Sequence, residues 1–113
     1  MDILNSDQQT IWLAGLLEGE GHFSWHRDKA EKGPGRPRIQ LQMTDKDIVE
    51  RVAKLFNANL LGPYGPYTTQ KLPSYFTHCS GKVAIDWMKK IQSFMGERRH
   101  ARIRELLERY EAL

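Results

Sequence analysis

The chain has 113 residues, a length that fits one domain with a core of its own but not two. Hydrophobic residues make up 40% and charged residues 27%, which excludes a mainly disordered chain. The net charge is +3, and the basic residues gather at positions 27–38, 82–90 and 98–109. This clustering fits an anionic partner, although in small domains a basic excess often means only solubility.

The chain contains one cysteine, Cys79, which excludes an internal disulfide and a cysteine-based zinc site and suits a reducing compartment. We expect it to be a small buried residue. The apolar part of the first predicted helix is far shorter than the roughly 20 residues that cross a bilayer. No charged leader precedes a cleavable segment. We therefore expect no membrane partner and an intracellular location, in the cytoplasm or an organellar nucleoid.

The first predicted element is a helix that starts with a capping box formed by Ser6 and Gln9. Apolar residues at 11–17 cover nearly its whole circumference, which predicts burial on two sides. Gly15 and Gly19 lie four positions apart in it, and each glycine in a helix interior costs about 1 kcal/mol relative to alanine. We expect another backbone to pack closely at these glycines.

Two antiparallel strands are predicted next, at 22–28 and 38–43, joined by a loop rich in glycine, proline and charge. Apolar and polar residues alternate along both strands, so one face of the hairpin should be buried and the other open. The residues expected on the buried face are Phe23, Trp25, Ile39, Leu41 and Met43. Those expected on the open face are Ser24, His26, Arg38, Gln40 and Gln42.

The second half of the chain predicts a helix, two short strands and two further helices. Thr44 and Asp47 predict the start of a helix that reaches about Phe56. The segment 60–79, with its glycines and prolines, predicts two shorter strands, the second of them at 74–79. Two further helices follow, the first opened by a glycine at 81 and the second separated from it by a glycine at 96.

The predicted order is αββαββα with an added C-terminal helix. It describes a single α+β domain, residues 1–113, with one antiparallel sheet.

The segment LAGLLEGEG places two acids, Glu18 and Glu20, at the end of the first helix. Helix C-termini carry partial negative charge and favour Lys or Arg, so these acids are either solvated or stand beside a cation. Residues two positions apart on a helix do not face each other, so a mainly structural role for Glu18 stays open.

This segment resembles the signature after which the LAGLIDADG homing endonucleases are named. Acids stand at 18 and 20 where the name has aspartates, and the identical letters are Leu13, Ala14, Gly15, Leu16 and Gly21. The resemblance implies a site-specific endonuclease, encoded by a mobile intron or a free-standing element, that cuts both strands of double-stranded DNA. A single motif implies a homodimer and a near-palindromic target. The expected dimer interface on the signature helix comprises Trp12, Leu13, Gly15, Leu16 and Gly19.

The resemblance also assigns catalytic roles. Glu20 would bind Mg²⁺ or another divalent cation, with help from the Gly19 carbonyl, although glutamate reaches one methylene farther than the aspartate of the signature. Asp45 matches the place of a polar residue that orders water, but it suits helix capping equally well. Either Arg98 or Arg99 matches a basic residue near the start of the last helix, where an electrostatic role is expected.

The open face of the first hairpin is the predicted DNA-reading surface, because arginine pairs with guanine and glutamine with adenine in the major groove. The candidate readers are Ser24, His26, Arg38, Gln40 and Gln42. In the projecting loop, Lys29, Lys32 and Arg36 are expected to contact phosphates. The strand phase of the second hairpin stays open, and its candidates are Tyr64, Tyr67, Gln70, Lys71, Ser74 and Thr77.

An alternative keeps the fold and loses the cutting, because RNA maturases and non-catalytic DNA-binding proteins also descend from this family. Basic strands and a dimer axis would look the same in all of them. A descendant that no longer cuts has no need for a carboxylate at a disfavoured helix end. The presence of Glu20 therefore favours cleavage.

Overall fold

The computed structural model describes residues 4–30, 32–67 and 71–113. Its elements follow the predicted order, which confirms the α+β fold. They are α1 Ser6–Glu20, β1 Gly21–His26, β2 Arg36–Met43, α2 Lys46–Phe56, β3 Leu61–Tyr64, β4 Ser74–Ser80, α3 Lys82–Ile91, a short 3₁₀ turn Gln92–Phe94, and α4 Glu97–Glu111.

The four strands form one antiparallel sheet in the order β1-β2-β4-β3. The β1 and β2 pairing runs without a break from Gly21 opposite Leu41 to His26 opposite Arg36. The register of β3 against β4 shifts between Leu61 and Tyr64. One face of the sheet packs against the helices and contributes Phe23, Ile39, Leu41 and Cys79 to the hydrophobic core. The other face is left for solvent or a partner.

The structure corrects the predicted starts of two helices by one residue each. Asn5 caps α1. Its side chain accepts a hydrogen bond from the Gln8 backbone N–H at 2.9 Å, and the Gln8 side chain accepts one from the Asn5 backbone N–H at 3.0 Å. The predicted box of Ser6 and Gln9 is wrong because Asn and Ser are equally good caps and stand side by side. In α2 the capping position is Asp45 rather than Thr44.

The turn from α1 into β1 requires glycine. A Cβ on Gly21 would lie 2.8 Å from both the Cδ2 and the carbonyl oxygen of Leu17. The helix therefore passes directly into the first strand only because residue 21 has no side chain. This tight junction brings the end of α1 to the edge of the sheet, and it explains the last letter of the signature.

The two sides of α1 are not equally buried. Leu13, Ala14 and Leu17 belong to the core, whereas Ile11 is 55% exposed. A Cβ on Gly15 would meet no atom within 4 Å, and the same holds for Gly19. The prediction that this helix is buried on two sides is therefore not met within one chain. In the described ranges, no helix has the length and apolar character that a membrane span needs.

Candidate nucleic-acid interface and active site

A polar surface covers the side of the sheet that faces away from the helices, and we call it the open face. His22 pairs with Gln40, and Gln40 pairs with His78, so one polar row crosses three strands. The register agrees with the prediction that one face carries Ser24, His26, Arg38, Gln40 and Gln42. The alternation along β4 adds Ser74, Phe76, His78 and Ser80.

A cleft of about 450 Å³ opens on this face and connects it with the end of α1. Glu20 and His22 form one part of its lining, and Phe76 and His78 form another. Arg38, Gln40 and Gln42 line it from β2. The acid that ends α1 therefore borders the same cleft as the polar side chains of the open face.

The structure corrects the assignment of Thr77. This residue is fully buried, and its hydroxyl donates to the Asn59 carbonyl at 2.9 Å, so it lies on the core side of β4. Phe76 and His78, which sequence reasoning missed, take the open side instead. The expected burial of Cys79 could have shown this, because residues two positions apart on a strand share a face and Thr77 must then be buried too.

The other second-hairpin candidates differ in position. Tyr67 and Lys71 are exposed, whereas Gln70 lies outside the described residues. Ser74 is only 5% exposed, and its hydroxyl accepts a hydrogen bond at 2.8 Å from the side-chain amide of Gln42. Gln42 is thus held in place from the neighbouring strand.

His78 is a half-buried titratable group on the open face. Burial lowers the pKa of His78, and the charge of the neighbouring Arg38 guanidinium lowers it further. Its Nδ1 is buried and has no hydrogen-bond partner within the described residues. The ring is therefore neutral at neutral pH, and it does not add a positive charge beside Arg38.

The loop between β1 and β2 carries exposed lysines. Lys29 and Lys32 are both exposed, as phosphate-contacting residues would have to be. Arg36 is not in the loop as expected, because it is the first residue of β2 and pairs across the hairpin with His26. The indole N–H of Trp25 donates to the Pro34 carbonyl at 2.7 Å and closes the loop.

Glu18 has a structural role. One of its carboxylate oxygens accepts from the Gly96 backbone N–H, and the other accepts from Arg99 Nη1 at 2.9 Å. A Cβ on Gly96 would lie 2.7 Å from Oε1 of that carboxylate, so a larger residue there would make the Glu18 side chain shift. The negative charge also lies at the N-terminus of α4, which the helix dipole favours. Glu18 therefore ties the end of α1 to the start of α4.

Glu20 differs from Glu18 because its side chain is exposed and makes no ion pair or hydrogen bond within residues 4–30, 32–67 and 71–113. The last turn of α1 contains no basic residue. Its carboxylate is thus available to an external cation. Over the same ranges, no group of three or more His, Cys, Asp or Glu side chains comes together as a metal site.

The structure separates the two arginine candidates. Arg98 and Arg99 both line a second cleft, of about 510 Å³, with Gly21 and His22. Arg99 is paired with Glu18, whereas Arg98 is exposed and has no ion pair within the described residues. Asp45 is also exposed, and its side chain makes no capping hydrogen bond although its carbonyl begins α2.

One predicted dimer-interface residue is wrong: Leu13 is fully buried in the core of its own chain. The other four, Trp12, Gly15, Leu16 and Gly19, are half-buried or exposed. The guanidinium of Arg51 lies 3.8 Å from the ring centroid of Trp12 and covers part of it. The open part of α1 is therefore the stripe formed by Ile11, Gly15 and Gly19.

No protein-family model matches the sequence, and no curated protein is similar to it at a significant level. Solved structures match in fold. The homing endonuclease I-CvuI in complex with its target in the presence of Ca has a TM-score of 0.68 at 13% identity, over 93% of this chain and 67% of that one. The group I intron-encoded I-CeuI, complexed with DNA, gives 0.67 at 12% identity, over 98% and 57%.

An archaeal intron-encoded homing endonuclease complexed with DNA gives a TM-score of 0.64 at 14% identity, over 92% of this chain and 69% of that one. At these identities the likeness establishes the fold that the chain shares with homing endonucleases. The chain spans between 57% and 69% of the length of these three structures.

Proposed function

We propose that this protein is a site-specific double-strand DNA endonuclease that acts as a homodimer and hydrolyses phosphodiester bonds with Mg²⁺ or another divalent cation. One observation carries the proposal: the carboxylate of Glu20, which has no partner within the described residues, lies where the open stripe of α1 meets the cleft of the open face. Proteins of the same fold have been solved in complex with DNA, which supports the choice of substrate.

DNA binding is assigned to the open face of the sheet. A two-stranded ribbon fits the major groove, and Arg38, Gln40 and Gln42 carry the donors and acceptors that distinguish base pairs there. Lys29 and Lys32, exposed in the loop, add phosphate contacts that raise affinity without reading sequence. The first hairpin thus carries both base-contacting and phosphate-contacting residues.

The homodimer is assigned to the open stripe of α1. Gly15 and Gly19 have space where a side chain would be, so a second helix can approach the backbone closely there. Ile11, exposed on the same stripe, adds apolar area to such a contact. The two Glu20 carboxylates would then lie near the two-fold axis, where cations and phosphates between them offset the repulsion of like charges. A two-fold protein also predicts a near-palindromic target.

The chemistry is assigned to the end of α1 and its surroundings. The Glu20 carboxylate and the Gly19 carbonyl are oxygen ligands of the kind that Mg²⁺ prefers, and a second copy, water or phosphate would complete the ligand set. The cation supplies activation of water and stabilisation of the leaving 3′ oxygen. Asp45 orders water through its carboxylate, which is exposed and makes no capping hydrogen bond, and Arg98 stabilises negative charge on the phosphate. Arg99 mainly holds Glu18.

The test uses a randomised duplex DNA library incubated with the purified protein and Mg²⁺, followed by sequencing of the cut ends. Glu20→Gln is run beside it, and Glu50→Gln, an exposed acid of α2, serves as the matched control. We expect staggered breaks at a near-palindromic site with the wild type and with Glu50→Gln. Glu20→Gln should bind the same duplex and leave it intact.

Each other outcome removes a defined part of the proposal. Cleavage by Glu20→Gln would reject Glu20 as the metal ligand. Sequence-specific binding without cuts in every protein, across several divalent metals, would favour a non-catalytic DNA binder or a maturase. The absence of any selected sequence would reject site-specific DNA recognition.

A further inference from the structure

Arg38 is held at the open face by contacts on two sides. Its Nη1 lies 3.0 Å from Nδ1 of His26, and its guanidinium carbon lies 5.8 Å from the ring centroid of Phe76. Its Nε is buried and has no partner within the described residues. Arginine only donates hydrogen bonds, so Nδ1 of His26 must accept and carries no proton.

The other ring nitrogen of His26 explains why this arrangement is stable. Nε2 lies 2.8 Å from the Asp28 carboxylate, which as an ionised group only accepts, so Nε2 carries the proton. The partners therefore select one neutral tautomer of His26. The donor order runs from Arg38 to His26 and from His26 to Asp28, and it links the two strands of the hairpin with the start of its loop.

We infer that His26 is a positioning residue that fixes Arg38 for contact with one guanine in each half-site of the DNA target. The inference rests on the proposed function and reassigns His26, which sequence reasoning placed among the base readers. Nη2 and the second proton of Nη1 are left for DNA, because no hydrogen bond of Arg38 within the described residues uses them. That end of the guanidinium can donate both bonds of a bidentate pair to guanine O6 and N7.

Positioning has a measurable consequence. An unrestrained arginine side chain loses rotamer freedom when it binds DNA. The contacts with His26 and Phe76 already restrict Arg38 before binding, so less rotamer entropy is lost on binding. Ordering one such side chain at an interface changes an affinity by about threefold to tenfold. The effect should fall on a single base-pair position in each half-site, because His26 acts through Arg38 alone.

The test selects wild type and variants on a randomised duplex DNA library with Ca²⁺ as the only divalent cation, and compares the base preference at each position. His26→Phe keeps an aromatic ring but has no hydrogen-bond acceptor. His26→Asn keeps an acceptor, because the side-chain oxygen of asparagine is bonded to Cγ as Nδ1 of histidine is, and it can still accept a hydrogen bond from Arg38. Arg38→Ala identifies the base pair that Arg38 reads. Asp28→Ala removes the partner that selects the tautomer, together with the Asp28 ion pair to Arg36 Nη2 at 3.9 Å.

We expect His26→Phe to lose about threefold to tenfold of the guanine preference at the base pair that Arg38→Ala identifies, with other positions unchanged. His26→Asn should keep most of it, and Asp28→Ala should lose less than His26→Phe. The double variant His26→Phe with Arg38→Ala should be no worse than Arg38→Ala alone, since the two residues act as one unit.

The outcomes separate this inference from the proposed function. A wild type that selects no sequence rejects the proposed function. A wild type that selects a site, with His26→Phe losing a different base pair or adding its loss to that of Arg38→Ala, shows that His26 reads DNA itself and rejects the inference. Equal losses in His26→Asn and His26→Phe would also reject it, because an acceptor for Arg38 would then be irrelevant.

His26 is 31% exposed and Asp28 61%, so Asp28→Ala offers a mild second variant that leaves the core unchanged.

Discussion

The inner and outer sides of α1 have the same apolar character and opposite surroundings. On the inner side, Leu13 and Leu17 are fully buried, and Glu18 reaches across to α4. On the outer side, Ile11 is exposed, Gly15 has open space where a side chain would be, and Glu20 has no partner within the described residues. The helix thus contributes to two surfaces, of which only the inner one is buried within the single chain.

The largest effect on the free energy of unfolding should come from the inner side. We expect Leu17→Ala to destabilise the dilute monomer by about 3 kcal/mol, because a fully buried side chain is replaced by a cavity. Denaturant unfolding measures this change. Ile11→Ala on the outer side is the matched control and should stay within about 0.5 kcal/mol. Equal losses would mean that the two sides are alike in the monomer.

The contact between α1 and α4 should have the next largest effect. Glu18→Gln removes the charge that accepts from Arg99 and from the N-terminus of α4, and we expect a loss of about 1.5 kcal/mol. The pair is partly exposed, which keeps the loss below that of a buried ion pair. A double-mutant cycle with Arg99→Gln should show coupling, and strict additivity of the two changes would argue against the contact.

Gly15→Ala should change stability in the opposite direction. The new methyl group meets no atom of its own chain, so the dilute monomer should become more stable by about 1 kcal/mol. At higher concentration the same methyl group should weaken self-association, because it blocks close approach of a second helix. Sedimentation velocity measures the second effect. Self-association that is unchanged or stronger would move the dimer interface away from this stripe.

The smallest effect on stability should come from Glu20, although it has the largest effect on cleavage. Glu20→Gln should change the free energy of unfolding by no more than about 0.5 kcal/mol, because its side chain is exposed and unpartnered in the described part of the chain. Cleavage should fall at least about 100-fold. Thermal unfolding beside a cleavage assay tests both statements, and a large loss of stability would give Glu20 a structural role like that of Glu18.

Local sequence patterns were sufficient for most of the fold. The alternation in β1 and β2 predicted both strands and their open face, and the glycines at 81 and 96 do stand at the starts of α3 and α4. The phase of β4 stayed open in the sequence, because its candidates Ser74 and Thr77 lie three positions apart and cannot share one face of a strand. In the structure Phe76 lies beside Arg38 on the open face. Leu13 was assigned to the interface because a helix that is apolar all round does not show which side its own core takes.

The sequence by itself determined the order of the elements, the polar row on β1 and β2, and the presence of two acids at the end of a helix. Those features depend on neighbours a few residues apart, which local patterns record. Only the tertiary structure decided which acid is structural and which is open. The partners of Glu18 lie 78 and 81 positions away along the chain, at Gly96 and Arg99, and no local pattern relates residues at such a separation. The same folding that holds Glu18 leaves Glu20 at the edge of the cleft.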